Sequence, residues 1–374
     1  MLRRIAATLF LLPFTLNALA APDRVDVFVS GEGGYHTYRI PAVETTTLGT
    51  VLAFAEGRKT RSDHAGNDIV LRRSEDGGMT WGPVLLVATA DDDALNNPCV
   101  VTVRPSGRVL LIFQHYPAGT GEKHVVPGVS GAPICRNYLV YSDDDGNTWS
   151  DWRDITAETK RPEYVTSIAS GPGNGIQLKR GPHAGRIVFP MNQGPYEDWR
   201  GYAIYSDDQG ETWHYGDVAP NGDTGMGNEV LMAEMNDGSV RLNSRSHGTA
   251  KLRKTAVSRD GGEVWSALED VPSLIEPRCN GGFIRVDGPD GPVMIYSGPN
   301  SNKAREKGTL HLSKDDGATW TVSRQLVPGL FAYSALTVLN KTTVGCLFET
   351  GENDPYERIQ FAPIKLSWFS EKTN

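Results

Sequence analysis

Ser74-Glu75-Asp76-Gly77-Gly78-Met79-Thr80-Trp81 is the stretch whose reading decides the fold. Its pattern, SxDxGxTW, returns at residues 142–149, 206–213 and 313–320, and in a degenerate copy at 258–265, where Val264 stands in the place of Thr. Successive copies start 68, 64, 52 and 55 residues apart. That spacing is too long for a solenoid turn and suits a four-stranded sheet with its loops, so the chain reads as a repeat protein.

Each residue type in the pattern favours a hairpin. The Asp can accept from backbone N–H groups of the turn, the Gly at the fifth position can take the positive φ of a tight reversal, and Thr and Trp re-enter a strand. The Trp ring then covers the turn and buries a large area for so small an element. Asp76, Asp144, Asp208, Asp260 and Asp315 are therefore read as structural clasps rather than as acids or metal ligands, because repeated residues maintain a repeated fold.

Outward from the clasps lie short β-branched or aromatic runs, at 108–114, 137–142, 186–190, 293–297 and 309–313, cut by many of the 41 Gly and 23 Pro. This is the pattern of an all-β fold with few helices. Dividing the 354 residues from 21 onward by a spacing near 60 gives roughly six units, one more than the clasps. The expectation is a six-bladed β-propeller forming one domain over 21–374, with no clasp in the blade that joins both chain ends. The loop-rich segments 119–133, 191–202, 222–227 and 298–308 are expected at the rim of its central cavity.

Residues 1–20 carry Arg3 and Arg4, an apolar run over 5–16, and Ala18-Leu19-Ala20. They read as a secretory signal, too short to span a bilayer, and imply a periplasmic or extracellular protein. No later stretch reads as a transmembrane segment. The formal charge of −8 becomes −10 without Arg3 and Arg4, which argues against nucleic acid or an anionic membrane as partner. Cys99, Cys135, Cys279 and Cys346 lack metal-type spacing and are open to disulfides or buried thiols alike. The eight His show no paired spacing, so no metal and no cofactor is expected.

Two further motifs precede the first clasp: Tyr38-Arg39-Ile40-Pro41, and Glu56-Gly57-Arg58 followed five residues on by Asp63. Together with the clasps in order, they make the chain resemble the exo-sialidases, the neuraminidase family of six-bladed propellers, from about Tyr35 to Glu349. Clasps occur in several unrelated carbohydrate-active propellers; their combination with YRIP and Asp63 carries the resemblance.

The resemblance implies a site. Its three carboxylate-binding arginines fall on Arg39, Arg245 and Arg305, the last placed ahead of Arg278. The acid/base falls on Asp63, the nucleophile on Tyr333, the carboxylate beside it on Glu229, and the acid that holds the first Arg on Glu349. Arg58 and Asn97 match secondary substrate contacts, and Asn280 stands where animal members often have Gln.

These residue types suit sialic acid, which bears a carboxylate on its anomeric carbon. Guanidinium groups bind that carboxylate through paired, directional hydrogen bonds. An attacking carboxylate would meet like charge at this carbon, whereas a Tyr hydroxyl is neutral until reaction begins, and sialidases are the stated exception among retaining glycosidases. Glu229 would take the phenolic proton, and Asp63 would protonate the departing oxygen. Sialylated glycans are the implied substrates. Taken singly, Asp63 reads as a turn residue, Glu229 as a solvated acid and Tyr333 as a packed strand residue; their joint order favours the enzyme. A trans-sialidase, a noncatalytic sialic-acid-binding propeller and a clasp-bearing glucan hydrolase are the rival readings.

Overall fold

The structure is a computed structural model that describes residues 21–131 and 133–370. The signal read over 1–20 lies outside the described residues. The fold is all-β, with one four-residue α-helix, Thr156–Thr159, and a 3-10 turn, Leu366–Phe369, among the described residues.

Four strand groups follow one another along the chain as antiparallel meanders. The first runs Thr37–Thr45, Val51–Arg58, Asn67–Ser74 and Leu85–Ala88; a later one runs Gly227–Glu234, Val240–Ser246, Leu252–Ser258 and Glu269–Ile275. Between them lie two five-stranded sheets, one of which takes Gly173–Asn174 as a parallel neighbour of Ala94–Thr102. The last sheet has seven strands and contains both ends of the described chain, since Val25–Val29 pairs with Arg358–Lys365.

The clasps explain both the hairpins and the contact between sheets. Each joins the third strand of a meander to its fourth. In the first, Ser74 Oγ and the Thr80 N–H donate to Asp76 Oδ1 at 2.8 and 2.9 Å, and Thr80 Oγ1 donates to Oδ2 at 2.6 Å. The same set recurs at Asp144, Asp208 and Asp315. Both carboxylate oxygens are thus engaged by the turn, which excludes the acid and metal readings.

The fifth-position Gly of each clasp faces the preceding sheet. A Cβ on Gly146 would meet Leu52 at 3.0 Å, one on Gly210 would meet Leu110 at 2.7 Å, and one on Gly78 would strike Phe361 of the last strand at 2.0 Å. Those glycines also have φ between 80° and 97°, so both space and backbone require them. The first clasp therefore docks on the last strand, and the succession of sheets closes on itself. The inner strands repeat that closure: Thr37–Thr45 touches Ala94–Thr102 on one side and Val322–Asn340 on the other. Thr45 and Thr337 share a hydrogen bond of 2.9 Å across the closing contact.

The expected loops are shorter than the sequence suggested. Residues 191–193 belong to Ile187–Gln193 and 200–202 to Arg200–Ser206, while 298–299 and 306–308 extend Gly291–Pro299 and Glu306–Ser313. Gly298 sits in a strand because a Cβ there would meet the Tyr296 hydroxyl at 2.3 Å, a close-approach role that composition alone reads as a loop. All four cysteines are free and buried.

Candidate active site

Bulges at one end of the inner strands build the site. Pairing slips between Arg39 and Ala42, Asn96 and Cys99, Gly227 and Val230, and Phe331 and Ser334. A bulge leaves a residue unpaired and re-aims its side chain, and these four fall at or beside Arg39, Asn97, Glu229 and Tyr333. Two of them are legible as Pro inside a strand: Pro41 and Pro98 give no ladder N–H, and the residues before them, Ile40 and Asn97, have φ of 60° and 53°. A positive φ at β-branched Ile40 is costly, on the order of 1–3 kcal/mol, and the surroundings must hold it there.

Glu349 supplies that hold. Its Oε1 accepts from Arg39 Nε at 2.7 Å and from the Ile40 N–H at 2.8 Å, and its Oε2 accepts from the Tyr333 N–H at 3.1 Å. The carboxylate is fully buried. One acid thereby fixes the first arginine, the strained bulge and the backbone of Tyr333.

Tyr333 is 5 % exposed, and its hydroxyl donates to Glu229 Oε1 at 2.5 Å while accepting from Arg245 Nη1 at 2.8 Å. The same Arg245 nitrogen donates to Glu229 Oε2 at 2.8 Å, closing a triangle. Burial drives the phenol well above its ordinary pKa, against the downward pull of Arg245. The group stays neutral at rest, with a carboxylate in place to take its proton.

Asp63 lies on the loop between Val51–Arg58 and Asn67–Ser74, its side chain 69 % exposed. Asn67 Nδ2 and Asn96 Nδ2 donate to its carbonyl at 2.6 and 2.8 Å, and Arg58 Nη1 donates to its Oδ1 at 2.6 Å. Partial burial works against ionisation, but Arg58 and then Arg39 outweigh it and hold the carboxyl below the usual Asp value. Arg58, expected as a substrate contact, is only 1 % exposed, clamped between buried Glu56 and Asp63. It faces the cleft mainly through its grip on the acid. The Asn97 N–H donates to Glu56 Oε1 at 2.7 Å, which ties that bulge to the same buried pair.

Arg305, rather than Arg278, reaches the centre. Its Cζ lies 5.1 Å from the Tyr333 ring centroid, while Arg39 Cζ lies 5.3 Å from it. Arg278 is exposed and donates to the Gly248 carbonyl at 3.2 Å. Arg305 forms no ion pair among the described residues; it donates to the Tyr356 hydroxyl at 2.6 Å and to the Arg278 carbonyl at 3.2 Å. Three guanidiniums thus surround Tyr333 with two acids, Glu349 and Glu229, in direct contact. Arg39 also lies 3.9 Å from Asp63 and Arg245 pairs with Glu229, so Arg305 is the one of the three without a carboxylate partner among the described residues, and its charge suits an anion.

Sequence reasoning missed Tyr356, whose ring lies 3.9 Å from Arg39 Cζ and whose hydroxyl receives Arg305. It follows the last motif in a loop, where no pattern marks it. Asn280 is 1 % exposed and donates to the Pro172 carbonyl at 3.1 Å, leaving its Oδ1 without a partner. On loop 119–133, Gly121 leans on His64 so closely that a Cβ would meet the ring at 2.6 Å. Its neighbour Glu122 is pushed up to about 7 by burial and by the charges of Glu229 and Asp63.

A cavity of about 790 Å³ lies elsewhere, at the opposite ends of the same strands, where Glu44, Thr102, Glu234 and Leu336 line it. Volume is therefore a poor guide here, and the convergence of charges is a better one. Among the described residues no group of three or more His, Cys, Asp or Glu could hold a metal ion, and no helix is long and apolar enough to cross a membrane.

A family model described as a BNR repeat-like domain matches residues 49–346. The chain is 36% identical to a sialidase of Micromonospora viridifaciens over 92% of its own length but 54% of that protein's, so it spans about half of that relative. It is 31% identical to human sialidase-3, covering 87% of this chain and 88% of that one. Among solved structures, a Hadza microbial sialidase, Hz136, superposes with a TM-score of 0.82 at 27% identity, over 91% of this chain and 68% of that chain.

Proposed function

The chain belongs to the sialidase family, and we propose that it is an exo-α-sialidase that hydrolyses terminal α-linked sialic acid from glycoproteins, glycolipids and oligosaccharides with retention of configuration. The observation that carries the reading is the Tyr333 hydroxyl held between Glu229 and Arg245, beside an Arg305 that no carboxylate neutralises.

In this reading the sugar carboxylate lies between Arg39, Arg245 and Arg305, and its charge supplies the carboxylate partner that Arg305 lacks among the described residues. Tyr333 Oη attacks the anomeric carbon as Glu229 accepts its proton, while Asp63 gives a proton to the glycosidic oxygen and the aglycone leaves. Asp63, now a base, takes a proton from water; that water displaces Tyr333, which recovers its proton from Glu229. Two inversions give net retention. A protonated Asp63 needs a reversal of its resting tendency. The bound carboxylate offsets the field of Arg39, and the aglycone covers the exposed carboxyl, and both changes favour the neutral acid.

The wider reading is a single six-bladed propeller over 21–374, exported by the segment 1–20 to the periplasm or the medium. Support for six blades comes from the seven-stranded sheet, where Val322–Asn340 pairs with Glu306–Ser313 up to Leu330 and with Thr343–Gly351 from there on. Counted as two four-stranded halves, it adds two blades to the other four sheets, and the half containing Val25–Val29 lacks a clasp.

The test is incubation of the purified protein with a fluorogenic α-sialoside and with sialyllactose, following the first-formed anomer by NMR. Release of free α-sialic acid supports the reading. A β-anomer as first product, an anhydro sugar or transfer to lactose would each replace hydrolysis with retention, and binding without turnover would favour the noncatalytic propeller.

A further inference from the structure

The loop that carries Asp63 is fastened on both sides. Toward the neighbouring sheet, Lys59 Nζ donates to the Asp91 carbonyl at 2.5 Å, and Asn96 holds the Asp63 carbonyl. Toward the last sheet, Arg61 Nη1 meets Asp354 Oδ2 at 2.5 Å, and Arg61 Cζ lies 5.3 Å from the Tyr356 ring centroid. Neither Arg61 nor Asp354 belongs to the motifs that define the site.

The receiving side is braced. Glu357 accepts from the backbone N–H groups of Glu352, Asn353 and Asp354 at 2.9 to 3.1 Å, which rounds the 351–357 turn into a fixed shape. Asp354 divides its oxygens: Oδ1 accepts from the Tyr356 N–H at 3.0 Å, and Oδ2 faces Arg61. Tyr356 in turn lies over Arg39 and receives Arg305. An exposed ion pair is ordinarily weak because two mobile side chains must be ordered to make it. Here the acid is already ordered by its own turn, and the guanidinium gains an aromatic neighbour.

We propose that Arg61, Asp354 and Tyr356 form a latch that positions the Asp63 loop over the carboxylate-binding arginines, so that the proton donor is held at the glycosidic oxygen by the same ring that orients Arg39 and Arg305. Arg61 and Asp354 are positioning residues acting through Asp63. The inference rests on the reading of Asp63 as the acid of a sialoside-cleaving site. It differs from that reading in assigning the acid's placement to a contact made with a distant part of the chain.

Arg61→Ala and Asp354→Asn test it, the second chosen because the amide oxygen can still accept from the Tyr356 N–H and keep the turn. With sialyllactose, whose leaving group needs protonation, kcat is expected to fall about five- to tenfold in either variant. With an aryl α-sialoside it should fall less than about twofold, and KM should hold within about twofold for both substrates. The double variant should be no slower than the worse single one, and Arg61→Lys should recover part of the loss. Hydrogen exchange of the peptide over 59–66 should rise at least about fivefold in both variants while the remaining peptides stay unchanged. That readout needs no turnover, so a wild type inert toward sialosides would remove the proposed function and still leave the latch under test. Equal slowing of both leaving groups, a pure KM effect, additive losses, or unchanged exchange over 59–66 would each overturn the latch.

Discussion

The Tyr333 hydroxyl sits 2.5 Å from Glu229 Oε1, and the two residues belong to strands 104 positions apart in the chain. Both lie within bulges, and Arg245 bonds to both, so the distance is set by two independent strand distortions and one shared cation. A phenol held well above its ordinary pKa is a poor nucleophile unless its proton has somewhere to go, and Glu229 is the acceptor in contact with it.

Tyr333→Phe should lower kcat by at least about a thousandfold, because binding and charge stabilisation alone would remain. Glu229→Gln should lower it by a similar order, since an amide cannot take the phenolic proton. Steady-state kinetics with a fluorogenic α-sialoside measures both. Near-wild-type turnover in Tyr333→Phe would end its assignment as nucleophile.

Asp63→Asn should slow sialyllactose by roughly 10² to 10⁴ and an activated aryl sialoside far less, the range typical of general acid catalysis. In the free protein Asp63 is held below the usual Asp value, so its acid form declines as pH rises through the acid range. On sialyllactose, kcat/KM should fall over that window. Replacing Arg58 with Gln removes the cation that favours the carboxylate and should move the falling limb to higher pH. An unchanged pH profile in Arg58→Gln would show that the Arg58 contact does not control the acid.

Glu349→Gln leaves Arg39 buried without its anion and weakens the hold on the Ile40 bulge. Breaking a buried pair on one side costs about 3–5 kcal/mol, which should appear as a lower urea midpoint alongside loss of turnover. Unchanged stability would mean that the bulge has other support.

The clasps predict stability with opposite signs. Val264→Thr restores the hydroxyl that the degenerate copy lacks, within reach of Asp260 Oδ2, and should raise stability by about 0.5–1 kcal/mol, read as a higher denaturation midpoint. On the acid side, Thr80 lowers Asp76 to about 2; at Asp144 burial raises the value, but the Thr148 hydroxyl and N–H and the Ser142 hydroxyl together outweigh it, again to about 2. Because both folded values lie below the unfolded 3.8, the stability they contribute is present above about pH 4 and is lost as pH falls toward 2. Acid titration by circular dichroism should show that loss begin at higher pH in a Thr80→Val, Thr148→Val variant.

The clasps made the all-β fold legible, because a turn that engages both carboxylate oxygens of its Asp and packs its own Trp is a local object that a sequence can specify alone. YRIP and NPC also declared their bulges, through a proline that no strand interior accommodates freely. The motif order named Arg39, Arg245, Arg305, Asp63, Tyr333, Glu229 and Glu349, which the structure gathers into one cluster around Tyr333 and Arg39. Tyr356, Arg61 and Asp354 were invisible, since each lies in a loop and means nothing until the last sheet closes on the first. The burial of Arg58 was equally hidden, because residue type does not reveal which side of a carboxylate a guanidinium occupies.

Sequence by itself thus determined the repeating hairpin and the kinds of charge available, both properties of residues within a few positions of one another. Packing between sheets decided the rest: it carries Glu349 to Arg39 and Tyr333 to the Glu229–Arg245 pair from distant parts of the chain, and distance and burial there fix which arginine is left for an incoming anion.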